Sequence, residues 1–173
     1  MDFDKNKEYY FSLYEKHVDM VYRICYFYLG NSHDAEDAVQ NIFYKIIKKE
    51  LSFKDSEHEK AFLIVCAKNY CKDIVKSFWI KKRVDYDEIV NLASNSEKEI
   101  DLDLTYEIMN LPSKYKLPLY LYYYEGYSVK EISHILEEKE TTIQTHLSRA
   151  RKKLKLQIES EGYYNETRPK GAV

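Results

Sequence analysis

The sequence predicts an all-α protein of two small helical domains joined by a flexible linker, and three observations predict it. Glycine and proline number only 4 and 3 in 173 residues, too few for the turns of an all-β fold. Apolar residues recur at helical spacing. Ala35, Ala38, Val39, Ile42, Phe43, Ile46 and Ile47 line one face, while Asp34, Asp37, Gln40, Asn41 and Lys45 are left outward. Charge is segregated as well. Residues 1–83 hold 15 basic and 13 acidic side chains, 84–110 hold 1 and 8, and 111–173 hold 11 and 8. Two mildly basic ends around an acidic middle are expected of two domains and a linker.

A first helix is predicted from Tyr9 to Leu29, closed at Gly30, which can take the left-handed conformation; Asn31 or Ser32 then caps the second helix. "SFKDSEHE" (Ser52–Glu59) reads as a loop. A third helix follows over about Lys60–Ile80, with Leu63, Cys66, Ala67, Tyr70, Cys71, Ile74 and Phe78 as its buried stripe. Beside that stripe Lys68, Lys72 and Lys76 stand four apart, and the basic row continues into Lys81-Lys82-Arg83. Residues 84–99 are acidic and weakly periodic, hence the linker. The second domain spans 100–159: one helix ends near Leu111, Pro112 starts another, and Pro118 should delay or kink it. The tail, 160–173, reads as frayed.

The three cysteines, Cys25, Cys66 and Cys71, are odd in number and form no Cys-x-x-Cys, which suits buried thiols in a reducing compartment. "MDFDKNKEYY" has acids where a signal peptide needs a basic region. The longest apolar run, Ala61–Ala67, is far short of the roughly 20 residues that cross a bilayer. A cytoplasmic protein without membrane insertion is expected. One Glu-x-x-His, Glu131–His134, falls short of the two that a di-metal carboxylate centre requires. With no glycine-rich phosphate loop and no nucleophile beside a base, neither an enzyme nor a cofactor is expected.

"YSVKEISHIL" begins with a capping box, Ser128 with Glu131 three residues on, and Tyr127 and Ile132 have the spacing of a hydrophobic staple. After a short turn, Glu137–Glu140, comes a helix with Ile143, Leu147, Ala150 and Leu154 inward. Thr142, Thr145, His146 and Arg149 then share one outward stripe, flanked by Gln144, Ser148, Arg151 and Lys152. A helix that enters a major groove is built this way. Short polar side chains admit the backbone to base edges, and arginine contacts guanine or phosphate. Arg149, Arg151, Lys152, Lys153 and Lys155, uninterrupted by acid, suit a phosphate backbone.

Together these stretches resemble the bacterial RNA polymerase sigma factors of the extracytoplasmic-function (ECF) group. "LGNSHDAEDAVQNIFYKI" and "AFLIVCAKNYCKDIVK" are similar to region 2 of that family. "LPSKYKLPLYLYYYEGYSVKEISHIL" with "TIQTHLSRARKKL" is similar to region 4. The resemblance covers about residues 9–83 and 104–156. It implies a region 2 domain that engages core RNA polymerase and opens the single-stranded −10 element of a promoter. It implies a region 4 domain that holds the polymerase flap and reads the duplex −35 element. It also implies an anti-sigma factor as a partner and a location at the nucleoid.

By resemblance, Asp34, Asp37, Gln40 and Asn41 occupy polymerase-binding positions. Lys68, Asn69, Lys72, Asp73 and Lys76 occupy DNA-binding ones in region 2. Thr142, Gln144, Thr145, His146, Arg149, Arg151 and Lys152 do so in region 4. The loop Ser52–Glu59 would receive an unstacked base, whose extraction costs a few kcal/mol, with Phe78 and Trp79 as stacking surfaces. The chain departs from the family at Asn41, which replaces an acid, and at Ile64 and Val65. Glu137 and Glu138 replace a Gly-apolar pair. Lys139 replaces a serine cap, Thr141 a glycine and His146 an arginine. Thr141 with Gln144 has the form of a second capping box, which would make Thr141 a cap and leave the bases to Thr142, Thr145 and His146. The rival reading is a dimeric helix-turn-helix regulator, which requires a palindromic site.

Overall fold

The computed structural model describes residues 3–82 and 108–165, and within them the side chains of 6–77 and 108–156. Among the described residues the elements with full ranges are helices: α1 (Phe3–Leu29), α2 (Ser32–Lys48), α3 (Ser56–Lys82), α4 (Ser113–Tyr123), α5 (Val129–Leu136) and α6 (Glu140–Asn165). The chain divides into two compact units, Met1–Lys98 and Glu99–Val173. The expected linker, 84–99, and the body of the helix expected before Leu111 lie outside the described residues.

In the first unit α1 packs against both α2 and α3, and α2 against α3. The α1–α2 corner forms as its residues dictate. Gly30 adopts φ +78° and its N–H reaches the Tyr26 carbonyl at 2.9 Å. Asn31 caps α2, its side chain accepting from the Asp34 N–H at 2.8 Å. Ala35, Ala38, Val39, Ile42, Phe43 and Ile46 are buried, but Ile47, assigned to the same stripe, is 47% exposed. Asp55, not the segment's end, starts α3. Its carboxylate accepts from the His58 N–H at 2.8 Å, so half of the expected Ser52–Glu59 loop is the helix's first turn. That turn is tied to α1, where the buried His17 places Nε2 2.6 Å from Glu59 Oε1 and Lys16 Nζ stands 3.2 Å from the same oxygen.

The buried face of α3 is Leu63, Ile64, Ala67, Lys68 and Cys71, whereas Cys66, Tyr70 and Ile74 are half-buried. The expected stripe is thus rotated toward Ile64 and Lys68. The run AFLIVCA is apolar nearly all round, so periodicity does not fix which side faces inward. The three cysteines are free thiols. A hydrogen bond with Cys71 and burial both push the Cys25 thiol far up, which makes it inert.

In the second unit α4 and α5 both pack on α6 and touch each other. Its core holds Ile108, Leu111, Tyr115, Leu117, Leu119, Tyr120, Leu121, Ile132, Leu136, Ile143, Leu147 and Ala150. Pro112 stands just before α4 and caps it with φ −55°. The helix then runs from Ser113 straight through the buried Pro118, so the expected delay does not occur. Gly126, at φ +74°, turns the chain toward α5. The helix after the turn continues to Asn165, six residues into the segment read as frayed tail.

Candidate functional site

Two polar helix faces stand out, one in each unit. On α2 the exposed row runs Asp34, Asp37, Asn41 with Gln40 beside it. Asp34 and Asp37 are more than half exposed, and His33 Nδ1 lies 3.9 Å and 3.6 Å from their carboxylates. Asn41 folds back, its Nδ2 donating to the Asp37 carbonyl at 2.8 Å. One turn on, Tyr44 is 60% exposed, with Lys48 Nζ 5.7 Å from its ring centre. Sequence reasoning passed over Tyr44. Its signal was an aromatic residue three positions after Asn41, on the polar side of an amphipathic helix.

On α3 the expected basic row is split. Lys72 and Lys76 are exposed, as are Asn69 and Asp73, but Lys68 is buried at 9% exposure. Lys68 therefore does not stand with them on an open phosphate-tracking surface. Ahead of α3, the half-buried Phe53 packs on Phe62 with ring centres 5.0 Å apart and on His58 at 5.8 Å. The side chains of Phe78 and Trp79 lie outside the described ones.

The second unit supplies the clearer geometry. The capping box at α5 is complete: Ser128 Oγ accepts from the Glu131 N–H at 3.3 Å, and Glu131 Oε2 accepts from the Ser128 N–H at 2.8 Å. The Ser128 hydroxyl also donates to Glu131 Oε2 at 2.6 Å, and that bond first, then the one from the Ser128 N–H, holds the Glu131 carboxyl below its ordinary pKa. Tyr127 and Ile132 are both buried, as a staple requires. Helix α5 ends at Glu137, whose φ of 56° and ψ of 40° are left-handed. A short turn through Glu138 and Lys139 leads into α6.

The second capping box does not form. Helix α6 begins at Glu140, with the Lys139 carbonyl already accepting from the N–H groups of Thr142 and Ile143 at 2.9 and 3.1 Å. Thr141 thus sits inside the first turn, exposed, and is no cap. The outward face of α6 is Thr141, Gln144, Thr145, Ser148, Arg149 and Lys152, with Arg151 beside it; Thr142 is half-buried at its edge. The Thr145 hydroxyl donates to the Thr141 carbonyl at 2.8 Å, which leaves its lone pairs and methyl group outward. Arg151 Nε donates to the Leu147 carbonyl at 3.2 Å.

His146 departs from the expected stripe. Its side chain is only 15% exposed and packs edge-on against the Tyr115 ring of α4 at 5.5 Å. Nδ1 lies 3.5 Å from Glu138 Oε2, and neither atom has a hydrogen-bond partner. The residue is turned toward α4 because it lies between the outward face and the inward Ile143–Leu147 row, where an imidazole reaches an aromatic neighbour. The Arg149 guanidinium, one turn on, holds the Tyr115 phenol below its ordinary pKa.

Among the described residues, no group of three or more His, Cys, Asp or Glu side chains could hold a metal ion. None of the helices there is long and apolar enough to cross a membrane.

A capped helix, a tight turn and a second helix with a polar, basic outward face make the second unit a helix-turn-helix DNA reader. The sigma-70 region 4 model matches residues 102–154, and the sigma-70 region 2 model matches residues 13–80. The chain is 30% identical over 149 residues to the ECF RNA polymerase sigma factor SigM of Bacillus subtilis, covering 83% of this chain and 91% of SigM. It is 28% identical over 147 residues to SigV of the same organism, covering 84% and 88%. In fold it is similar to the sigma factor RpoE of Bartonella quintana, solved in complex with the anti-sigma factor NepR. The TM-score is 0.72 at 19% identity, over 84% of this chain and 94% of that one. The chain belongs to the ECF group of RNA polymerase sigma factors. As such it binds core RNA polymerase and promoter DNA and directs transcription initiation.

Proposed function

We propose that the two units divide the work of initiation. Residues 1–83 engage core polymerase and open the −10 element, residues 84–99 link, and residues 100–159 read the −35 element as duplex. The observation that carries this reading is the outward face of α6, polar at Thr141, Gln144, Thr145 and Ser148 and basic at Arg149, Arg151 and Lys152. The threonine, glutamine and serine side chains contact base edges, and the cations contact phosphates. His146, turned away from that face, supports the pairing of the two helices rather than base reading.

The α2 row of Asp34, Asp37, Gln40 and Asn41, extended by Tyr44, is the polymerase contact of the first unit. Exposed Tyr rings of this kind dominate interface energies. Lys72 and Lys76 follow the strand's phosphates, with Asn69 and Asp73 orienting it. The protein acts in the cytoplasm, at the nucleoid, as an initiation factor without catalytic chemistry of its own. An anti-sigma factor holds it off polymerase, a reading supported by the partner in the RpoE complex.

Footprinting the holoenzyme on a promoter it selects tests the division of work. Permanganate-reactive thymines near −10 and protection near −35, the latter lost on deleting residues 100–173, are expected. Unchanged −35 protection after that deletion would contradict it.

A further inference from the structure

Two polar side chains are buried among the described residues of the first unit, Lys68 and His17. His17 faces the start of α3. Its Nε2 lies 2.6 Å from Glu59 Oε1, and because an ionised carboxylate only accepts, the imidazole is the donor. Lys16 donates from Nζ to the same oxygen at 3.2 Å and to Ser56 Oγ at 2.6 Å. Two consecutive residues of α1 thus grip two residues in the first turn of α3. A buried polar pair adds little net stability over apolar groups of the same volume, since both partners lose water. What it adds here is direction. The run Ala61–Ala67 is apolar nearly all round, so apolar packing alone admits more than one rotation of α3. Hydrogen bonds to Ser56 and Glu59 form at only one.

The same turn carries the segment before it. The Asp55 carboxylate accepts from the His58 N–H at 2.8 Å, and the Lys54 N–H donates to His58 Nδ1 at 3.4 Å. The Phe53 ring meets those of His58 and Phe62 at 5.8 and 5.0 Å. Phe53 is half-buried and Lys54 exposed, an aromatic ring beside a cation, the combination that takes up single-stranded bases and their phosphates. We infer that Lys16, His17, Glu59 and Ser56 form a positioning network for strand opening. It fixes the first turn of α3, and through it Phe53 and Lys54, before any base is unstacked. The network acts through that segment and not by contact with DNA. The inference rests on the reading of the first unit as the one that opens the −10 element.

The test compares two templates in holoenzyme reconstituted from core polymerase and the full chain. One is a promoter fragment that the wild-type holoenzyme selects from a genomic library; the other is the same fragment mismatched across −10, and so already open. The double substitution His17→Phe with Glu59→Leu replaces the buried pair by apolar groups. It should keep core binding but lower permanganate reactivity and initiation on the duplex about three- to tenfold, as for a broken side-chain network. On the mismatched template, where no base pair has to be opened, initiation should stay within about twofold of wild type. Lys16→Met removes only the half-exposed cation and should show the same template dependence at about twofold.

A merely structural role would lower initiation on both templates alike, and that result would overturn the inference, as would unchanged duplex opening by both variants. Unchanged opening by Lys72→Ala with Lys76→Ala would instead overturn the reading of the first unit itself. Thermal unfolding of each free variant accompanies the comparison. Should the double variant be unfolded at the assay temperature, Lys16→Met decides.

Discussion

Arg149 and His146, three residues apart, have opposite fates, and the difference follows from helix angle and side-chain reach. Both belong to one outward stripe by spacing. In the fold His146 lies a little nearer the buried row and finds Tyr115, while Arg149 stays exposed. Helical periodicity locates a face to within a residue or so; the identity of the neighbouring helix decides the border positions. The same limit applies to Lys68, whose four-residue spacing from Lys72 suggested an open row but whose side chain is buried. We expect His146→Ala to leave promoter preference unchanged and to cost about 1–2 kcal/mol of stability through the lost ring contact, read by chemical unfolding. Thr145 differs, since its hydroxyl proton is committed to Thr141 and the oxygen is left to accept. It can accept from the amino group of adenine or cytosine. Thr145→Val, which keeps the shape and removes the acceptor, should relax preference at one base pair in a binding selection. Arg149→Ala should instead weaken all sequences alike.

Helix boundaries were legible wherever the signal was local. The Gly30–Asn31 corner and the Ser128–Glu131 box involve side chains that bond their own backbone, and both form as their residues dictate. Thr141 and Gln144 carry the same kind of pattern without its outcome. The turn after α5 is short enough that α6 starts at Glu140, two residues before a Thr141 cap would start it, with an acid that the helix dipole favours in a first turn. Glu137 is the cost of that short turn, a non-glycine residue at φ 56°. Glu137→Gly should raise the unfolding stability of the second unit by about 1 kcal/mol. Ser128→Ala should lower it by about 1 kcal/mol through the lost cap. That deficit is also pH-dependent. The Glu131 carboxyl sits below its ordinary pKa because of Ser128. The charged box therefore stabilises fully above the ordinary carboxylate range and fades as pH falls through the depressed value. Urea unfolding of both proteins at neutral and acidic pH should show the gap narrowing in acid.

For the molecule as a whole, the segregation of charge and the order of the two signatures made the two-unit plan readable, because composition averages over many residues and tolerates errors at single positions. What composition does not encode is the rotation of α3, whose apolar run could face inward on more than one side. The net charge of −2 also bears on function. If the few cations of α6 are its main phosphate contacts, as proposed, the free chain should bind promoter duplex weakly, and a modest rise in salt should abolish the binding. Polymerase has to supply the rest of the affinity. The most direct measurement is to mix the purified chain with sigma-free bacterial core RNA polymerase and map the transcripts started on a genomic promoter library. Stable co-migration with core and a defined set of start sites sharing −35 and −10 elements is the predicted result. A chain that neither binds core nor starts transcription, yet binds a palindromic site as a dimer, would contradict it.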